Sequence, residues 1–199
     1  MTKQLLLATT NRGKQKEMAS LFGHTDLILV TPQDLLLALT VAEIGKTYEE
    51  NALLKAKAFC EASGLPALAD DSGLEVDALD GAPGLYSARY SPKPGASDAD
   101  RRKLLLTKLG GLPQPWTARF ICTIALALPD GLSITRSGVC EGEIAQIERG
   151  ETGFGYDRIF LVKEASQTMA ELGMEQKNRI SHRAIAAQKI LEILPGLMA

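Results

Sequence analysis

Histidine and cysteine are scarce in this chain of 199 residues: His24 and His182 are its two histidines, and Cys60, Cys122 and Cys140 its three cysteines. Two histidines exclude a histidine-rich zinc site. The cysteines are odd in number and widely spaced, make no metal pattern, and read as reduced packing residues of a cytosolic protein. Positive charge is also missing as an excess. Lys plus Arg number 22 against 24 Asp plus Glu, for a formal net charge of −2. A broad footprint on a nucleic-acid backbone is therefore not expected, and a small anionic ligand would need a local basic pocket. No apolar run approaches membrane-spanning length, and the first residues lead directly into a strand pattern rather than a signal peptide. No repeat, low-complexity tract or linker-like segment interrupts the chain. A hydrophobic content of 45% suits one domain over 1–199, or two lobes sharing a sheet.

The patterning alternates strand and helix. Gln4 to Ala8 reads as a buried strand, followed by a polar loop and a helix presenting Met18, Leu21 and Phe22 on one face. Leu27 to Val30 makes a further strand. Thr47-Tyr48-Glu49-Glu50 has the form of a capping box opening a helix to about Ala62, which Gly64 and Pro66 end. Ala67 to Asp70 and Leu74 to Val76 read as two strands around an Asp-Asp-Ser-Gly turn. An irregular stretch from Gly81 to Gly95 precedes a helix from about Ala99 to Leu109. A long hairpin is predicted over Ala118 to Leu128 and Leu132 to Ile147, then a strand Ile159 to Val162 and a last helix from about Ser181 to Leu194. This order predicts an α/β or α+β fold with a mixed sheet.

The segment Ala69-Asp70-Asp71-Ser72-Gly73 concentrates chemistry. Side chains alternate along a strand, so adjacent carboxylates point to opposite sides. One could then grip a hard cation with its oxygens while the other braces the turn; an ordinary hairpin turn is the simpler alternative. Thr9-Thr10-Asn11-Arg12-Gly13-Lys14 joins a strand to a helix, where backbone N–H groups and the Lys14 charge suit an anion. It lacks the spacing of a Walker loop. Glu43 and Lys55 flank the capping box. Gly153-Phe154-Gly155-Tyr156-Asp157 could sandwich a flat base between aromatics and accept a hydrogen bond at Asp157. Lys177 to Arg183 gathers cations before or within a helix's opening turn, against the helix dipole. Lys177, His182 and Arg183 could donate to a carbonyl-bearing base. The run Arg101-Arg102-Lys103 reads as a solvated helix face.

Taken in order, these segments resemble the inosine triphosphate pyrophosphatase family of non-standard purine triphosphate pyrophosphatases, over nearly the whole chain. Gly81-Ala82-Pro83-Gly84-Leu85-Tyr86-Ser87-Ala88-Arg89-Tyr90 and Ile180-Ser181-His182-Arg183 belong to the same match. The resemblance implies an α/β fold of two lobes around a long, twisted mixed sheet with flanking helices and a nucleotide cleft between the lobes. It implies a cytoplasmic homodimer that requires Mg2+ and binds neither nucleic acid nor membrane. The activity implied is hydrolysis of ITP, dITP and XTP to monophosphate and pyrophosphate, clearing these nucleotides before their incorporation into DNA or RNA. Residue by residue, it implies that Thr9, Thr10, Asn11, Arg12, Gly13 and Lys14, helped by Lys55, hold the triphosphate. Glu43 and Asp71 would bind or position the metal, with Asp71 at the family's proton-acceptor position and Asp70 beside it. Ser72 would touch substrate. Phe154, Gly155, Tyr156, Asp157, Lys177, His182 and Arg183 would form the base pocket. Thr10 stands where the family commonly has Gly, and Arg158 where it often has Pro. Which carboxylate takes the proton stays open at this point, because a metal-bound Asp71 is a poor base and Asp70 or Glu43 could share the work. A nucleotide sensor lacking catalysis and a pyrophosphatase for pyrimidine or methylated nucleotides are the competing readings.

Overall fold

A computed structural model describes residues 3–197 of the protein. Its elements run β1 (Lys3–Leu7), α1 (Arg12–Phe22), β2 (Leu27–Val30), α2 (Tyr48–Ser63), β3 (Ala67–Val76), α3 (Asp98–Leu109), β4 (Thr117–Ala127), β5 (Ser133–Ile144), β6 (Phe160–Val162), α4 (Met174–Ile180), α5 (His182–Leu191) and α6 (Leu194–Leu197). Short 3-10 segments lie at Asp77–Leu79 and Gly84–Arg89. The strands form one six-stranded sheet in the order β2-β1-β3-β4-β5-β6. β1 pairs in parallel with β2 and β3, whereas β5 and β6 are antiparallel. The fold is the mixed α/β arrangement that the alternating pattern predicts.

The chain divides into two compact units. The first comprises residues through Asp71, Cys122–Gly138 and the chain from His182; the second comprises Ser72–Ile121 and Val139–Ser181. In the first unit, strands buried on both faces explain the unbroken apolar run of β1. Leu5 and Leu7 join one core with Leu68 of β3, Cys122, Ile124 and Leu126 of β4, Met18 and Phe22 of α1, and Ala186 and Ile190 of α5. Leu6 and Ala8 join another with Ala67, Ala69, Ala125 and Ala127, against Ala52, Ala56, Phe59 and Cys60 of α2. Strand alternation thus sorts the sheet into an α1/α5 face and an α2 face. The second unit has its own core, in which Leu105 and Leu109 of α3 pack with Leu74, Val76, Trp116, Phe120 and Phe160.

Several local expectations are refined. β3 is one continuous strand from Ala67 to Val76, not two strands around a turn. The Asp-Asp-Ser-Gly sequence stays extended because its carboxylates bond to distant helices and the Leu74 N–H donates to Ser87 Oγ at 2.9 Å. The α2 cap is as expected at Thr47, whose Oγ1 accepts from Glu50 N at 3.1 Å. The Glu50 carboxylate, however, accepts from the Lys46 N–H. The reciprocal capping box is instead on α3, between Ser97 and Asp100. Lys177 lies on α4, separate from the helix that carries His182, and the C-terminal helix stops at Leu191. Pro195 and Gly196 lie within the short α6 that follows; Pro195 is tolerated there because a first-turn N–H has no intrahelical partner to lose.

Candidate active site

The sheet alternation that sorts the apolar residues of β3 also sorts its two aspartates. Asp70 falls on the side of Leu68 and meets the α1/α5 face. Its Oδ2 lies 3.0 Å from Lys14 Nζ, and accepts from Arg183 Nε and one terminal nitrogen at 3.3 and 3.2 Å. Another Arg183 nitrogen donates to Glu17 of α1. Asp70 is 3% exposed and Arg183 2%. Burial opposes the Asp70 charge, but Lys14, Arg183 and Lys55 outweigh it and hold its pKa well below the usual carboxylate range. Asp70 is therefore a fixed anion inside a buried charge network. Burial raises the thiol of the neighbouring Cys122, with Asp70 adding to the effect, so this cysteine is an inert packing residue.

Asp71 points to the α2 face. Its Oδ2 accepts from Asn51 Nδ2 at 3.1 Å, and its Oδ1 from Lys55 Nζ at 3.3 Å. Lys55 Nζ also donates to Glu43 Oε1 at 2.6 Å, so one ammonium collects both acidic side chains. The Asn51 carbonyl oxygen accepts from Gly45 N at 2.8 Å. Asn51 thereby ties the Glu43–Lys46 segment to the same carboxylate. Burial raises the Asp71 pKa, aided by Glu43 and opposed by Lys55 and Lys14. Burial disfavours the Lys55 ammonium, yet Asp71, Asp70 and Glu43 outweigh it and raise its pKa. The contrast follows from geometry: a buried Arg183 and a half-buried Lys14 lie against Asp70, whereas Asp71 shares one lysine with a second acid.

The loop between β1 and α1 lies in the same unit as this cluster. Asn11 caps α1, accepting from Lys14 N at 3.1 Å, and its own N–H bonds Thr9 Oγ1 at 3.2 Å. Thr10, Asn11 and Arg12 are exposed. Lys14 reaches inward to Asp70 while the start of α1 carries no acidic residue, an arrangement open to an anion. Glu43 and Asp71 are the residues able to hold a metal ion. Their oxygens are hard donors, and the shared lysine shows that they present negative charge to one point. Among the described residues no three His, Cys, Asp or Glu side chains converge on a closed cage. A pair of carboxylates completed by phosphate oxygens and water is the coordination that magnesium commonly accepts, so the donor set fits.

In the second unit the Gly153–Asp157 loop is pinned by its own side chains. Asp157 Oδ2 accepts from Phe154 N at 3.1 Å and from Lys177 Nζ at 2.9 Å. Gly153 has a φ of +80°, and a Cβ there would lie 2.0 Å from Asp157 Oδ2, so glycine is required. Tyr156 is buried, and its hydroxyl donates to Ser87 O at 2.9 Å. Phe154 is half-buried. Two placements bear on the sequence reading. Arg183 is enclosed between Asp70 and Glu17, with its charge directed at carboxylates. Arg102 is 6% exposed rather than solvated: it donates to both Glu148 oxygens at 2.8 and 3.0 Å and to Gly155 O at 2.7 Å. Ser72 is half-buried on β3 directly after Asp71, and His182 is buried at the start of α5. Arg158 lies 3.8 Å from Glu148. Sequence reasoning gave no role to Glu17, Asn51, Asp98 or Glu148 and read Arg102 as solvated. Only Asn51 carried a signal, a polar residue one turn before Lys55 on the same helix.

The chain is similar to known proteins over nearly its whole length. The Ham1 family model matches residues 5–193. A dITP/XTP pyrophosphatase of Desulforamulus reducens is 50% identical over 98% of this chain and 96% of its own length. One of Geobacter sulfurreducens is 49% identical over 92% of each chain. Among solved structures, the Staphylococcus aureus Ham1 protein superposes with a TM-score of 0.85 at 41% identity, covering 98% of this chain and 99% of that one.

Proposed function

The chain belongs to the Ham1 family, and we propose that it hydrolyses the deaminated purine nucleoside triphosphates ITP, dITP and XTP to the monophosphate and pyrophosphate. One observation carries the reading: adjacent aspartates on β3 face opposite sides of the sheet, each on its own lysine, beside a helix start suited to phosphate. The names of the relatives from Desulforamulus reducens and Geobacter sulfurreducens support the substrate class.

In this reading Thr9 to Lys14 cradle the triphosphate with backbone N–H groups and the Lys14 charge, while Lys55 supplies further compensation. Magnesium, held by Glu43 and positioned by Asp71, would neutralise phosphate charge when bound. Asp70 keeps Lys14 directed inward and is itself held by Arg183, which leaves it little capacity to accept a proton. Asp71 is the better placed of the two aspartates to accept the proton of a water attacking the α-phosphorus. Because a carboxylate bound to the metal is a poor base, this role requires that Glu43 be the direct metal ligand while Asp71 positions the ion. Ser72 follows it on the strand and contacts substrate. Most of the acceleration then comes from positioning and fixed charge.

The base is read by the second unit's loop, with Phe154 as the stacking face and Lys177 as a donor to a carbonyl at position 6. Adenine offers an amino group at that position and would leave a buried donor unmatched, at about 1–3 kcal/mol per group. The chain works as one domain in this proposal. A homodimer acting on the free nucleotide pool of the cytoplasm completes the reading, and light scattering on the eluted protein tests the dimer.

Product analysis tests the reaction: ITP, XTP, GTP and ATP, with and without magnesium, resolving pyrophosphate from orthophosphate. Magnesium-dependent pyrophosphate from ITP and XTP, with little from ATP and GTP, is the expected result. Orthophosphate release would place the cleavage at another bond. Tight binding without turnover would favour a sensor.

A further inference from the structure

We propose that Asp98 and Arg102 of α3 are specificity-positioning residues, which clamp the peptide groups on either side of Gly155 and thereby set the pose of the base-reading loop. The inference rests on the assignment of Gly153–Asp157 to the base and deepens it.

Gly155 N donates to Asp98 Oδ2 at 2.7 Å, and Gly155 O accepts from Arg102 at 2.7 Å. A carboxylate and a guanidinium one helical turn apart therefore hold the N–H and the carbonyl of a single residue. Neither charge reaches the loop by chance. The Arg102 plane is fixed by the two-point bond to Glu148, which turns its remaining edge toward the carbonyl. Asp98 is fixed by Arg101 on its other oxygen, and Arg101 in turn donates to Ala96 O at 2.8 Å. Both residues stand at the start of a helix secured by the Ser97–Asp100 capping box and by Leu105 and Leu109 in the core. The clamp is thus built on a rigid base.

Its target is the pliable point of the loop. Gly155 has a φ of +60° and open space where a Cβ would stand, so its glycine serves backbone conformation rather than clearance. On one side Tyr156 is anchored through Ser87; on the other Phe154 presents the stacking ring. Whatever fixes the Gly155 peptide groups fixes the backbone from which that ring projects. Stacking and donor alignment both depend on the ring and its neighbouring donors keeping their positions, so displacing the loop weakens recognition of the base. The clamp touches neither phosphate nor metal, so its loss falls on base discrimination rather than on the chemical step.

The test measures kcat and KM for ITP and ATP in Asp98→Ala, Arg102→Met and Arg102→Lys, with thermal unfolding alongside. We expect the ITP-over-ATP ratio of kcat/KM to fall by about tenfold in the first two. KM for ITP rises while kcat stays within about twofold, and the lysine variant recovers part of the loss by keeping a donor for the carbonyl. Should Arg102→Met fail to fold, Asp98→Asn supplies the milder break. Variants that keep the wild-type ratio, or lose kcat equally on both nucleotides, overturn the clamp alone. A wild-type protein that treats the bases alike overturns the reading of the loop, and the clamp with it.

Discussion

The two units use charge with a different emphasis. In the first, charges face charges: Lys14 and Arg183 on Asp70, Arg183 on Glu17, Lys55 on Asp71 and Glu43. In the second, charges also face backbone: Arg102 on the Gly155 carbonyl, Asp98 on the Gly155 N–H, Asp157 on the Phe154 N–H. A cluster of opposed ions can rearrange when a highly charged ligand enters, because lysines released from carboxylates can turn to phosphate. Ions tied to peptide groups cannot rearrange without moving the chain. The first region is therefore suited to handling charge, and the second to holding a shape. Substitutions should separate along that line, with turnover lost in the first unit and stability or discrimination in the second.

The largest effect belongs to Asp71. Asp71→Asn keeps the side-chain shape and an oxygen for Asn51 but removes the carboxylate charge on which the role proposed for this position depends. Turnover of ITP should fall by about 10²–10⁴-fold while the thermal transition stays near wild type, as pyrophosphate release and calorimetry would measure. Near-normal turnover would remove Asp71 from the chemistry. It would also erase the proposed difference from Asp70, its neighbour on the opposite face.

Lys177 tests the second unit from the stability side. It is 5% exposed and lies against an Asp157 that is 6% exposed. Lys177→Met strands a buried carboxylate, at a cost of about 3–5 kcal/mol. At about 2–4 °C per kcal/mol for a chain of this size, Tm should drop by roughly 10 °C. Adding Asp157→Asn should restore much of it. A Tm that does not move would make Lys177 a ligand-facing residue held in place by other elements, and the contrast between the units would narrow.

How much of this was legible in the sequence depended on the range of the interaction. The opposite facing of Asp70 and Asp71 follows from strand alternation, and the Thr47 and Gly64 ends of α2 follow from capping chemistry. The acidic and basic residues of both sites stood out because the ordered motifs resembled a family. What stayed hidden were partners far apart in the chain. Arg102 looks like one of three basic residues on a solvated turn until Glu148 and Gly155 close over it. Glu17 looks like a helix-surface acid until Arg183, 166 residues away, reaches it. β3 was read as two strands because Asp, Ser and Gly favour turns locally; the side chains that satisfy those aspartates come from α1, α2 and α5, which no local pattern encodes.

The smallest expected effect asks whether the Gly155 clamp is electrostatic. Burial opposes the charge of Asp98, but Arg101, the Gly155 N–H and Arg102 outweigh it, so its pKa lies below the ordinary carboxylate value. Arg101, Arg102 and Tyr156 are the groups that share its field. A depressed folded-state pKa contributes stability that is present above the unfolded value of about 3.9 and is lost as pH falls through the folded value. Asp98 is partly exposed, so solvent screening limits this contribution to at most about 1 kcal/mol, or about 2–4 °C in Tm. Asp98→Asn should accordingly melt a few degrees below wild type at pH 7, and the gap should close below about pH 4 as the wild-type carboxylate takes up its proton. A gap that persists unchanged at pH 3 would mean that Asp98 holds Gly155 by shape rather than by charge. The second unit would then position its loop by packing alone, and the division between charge facing charge and charge facing backbone would no longer hold at this clamp.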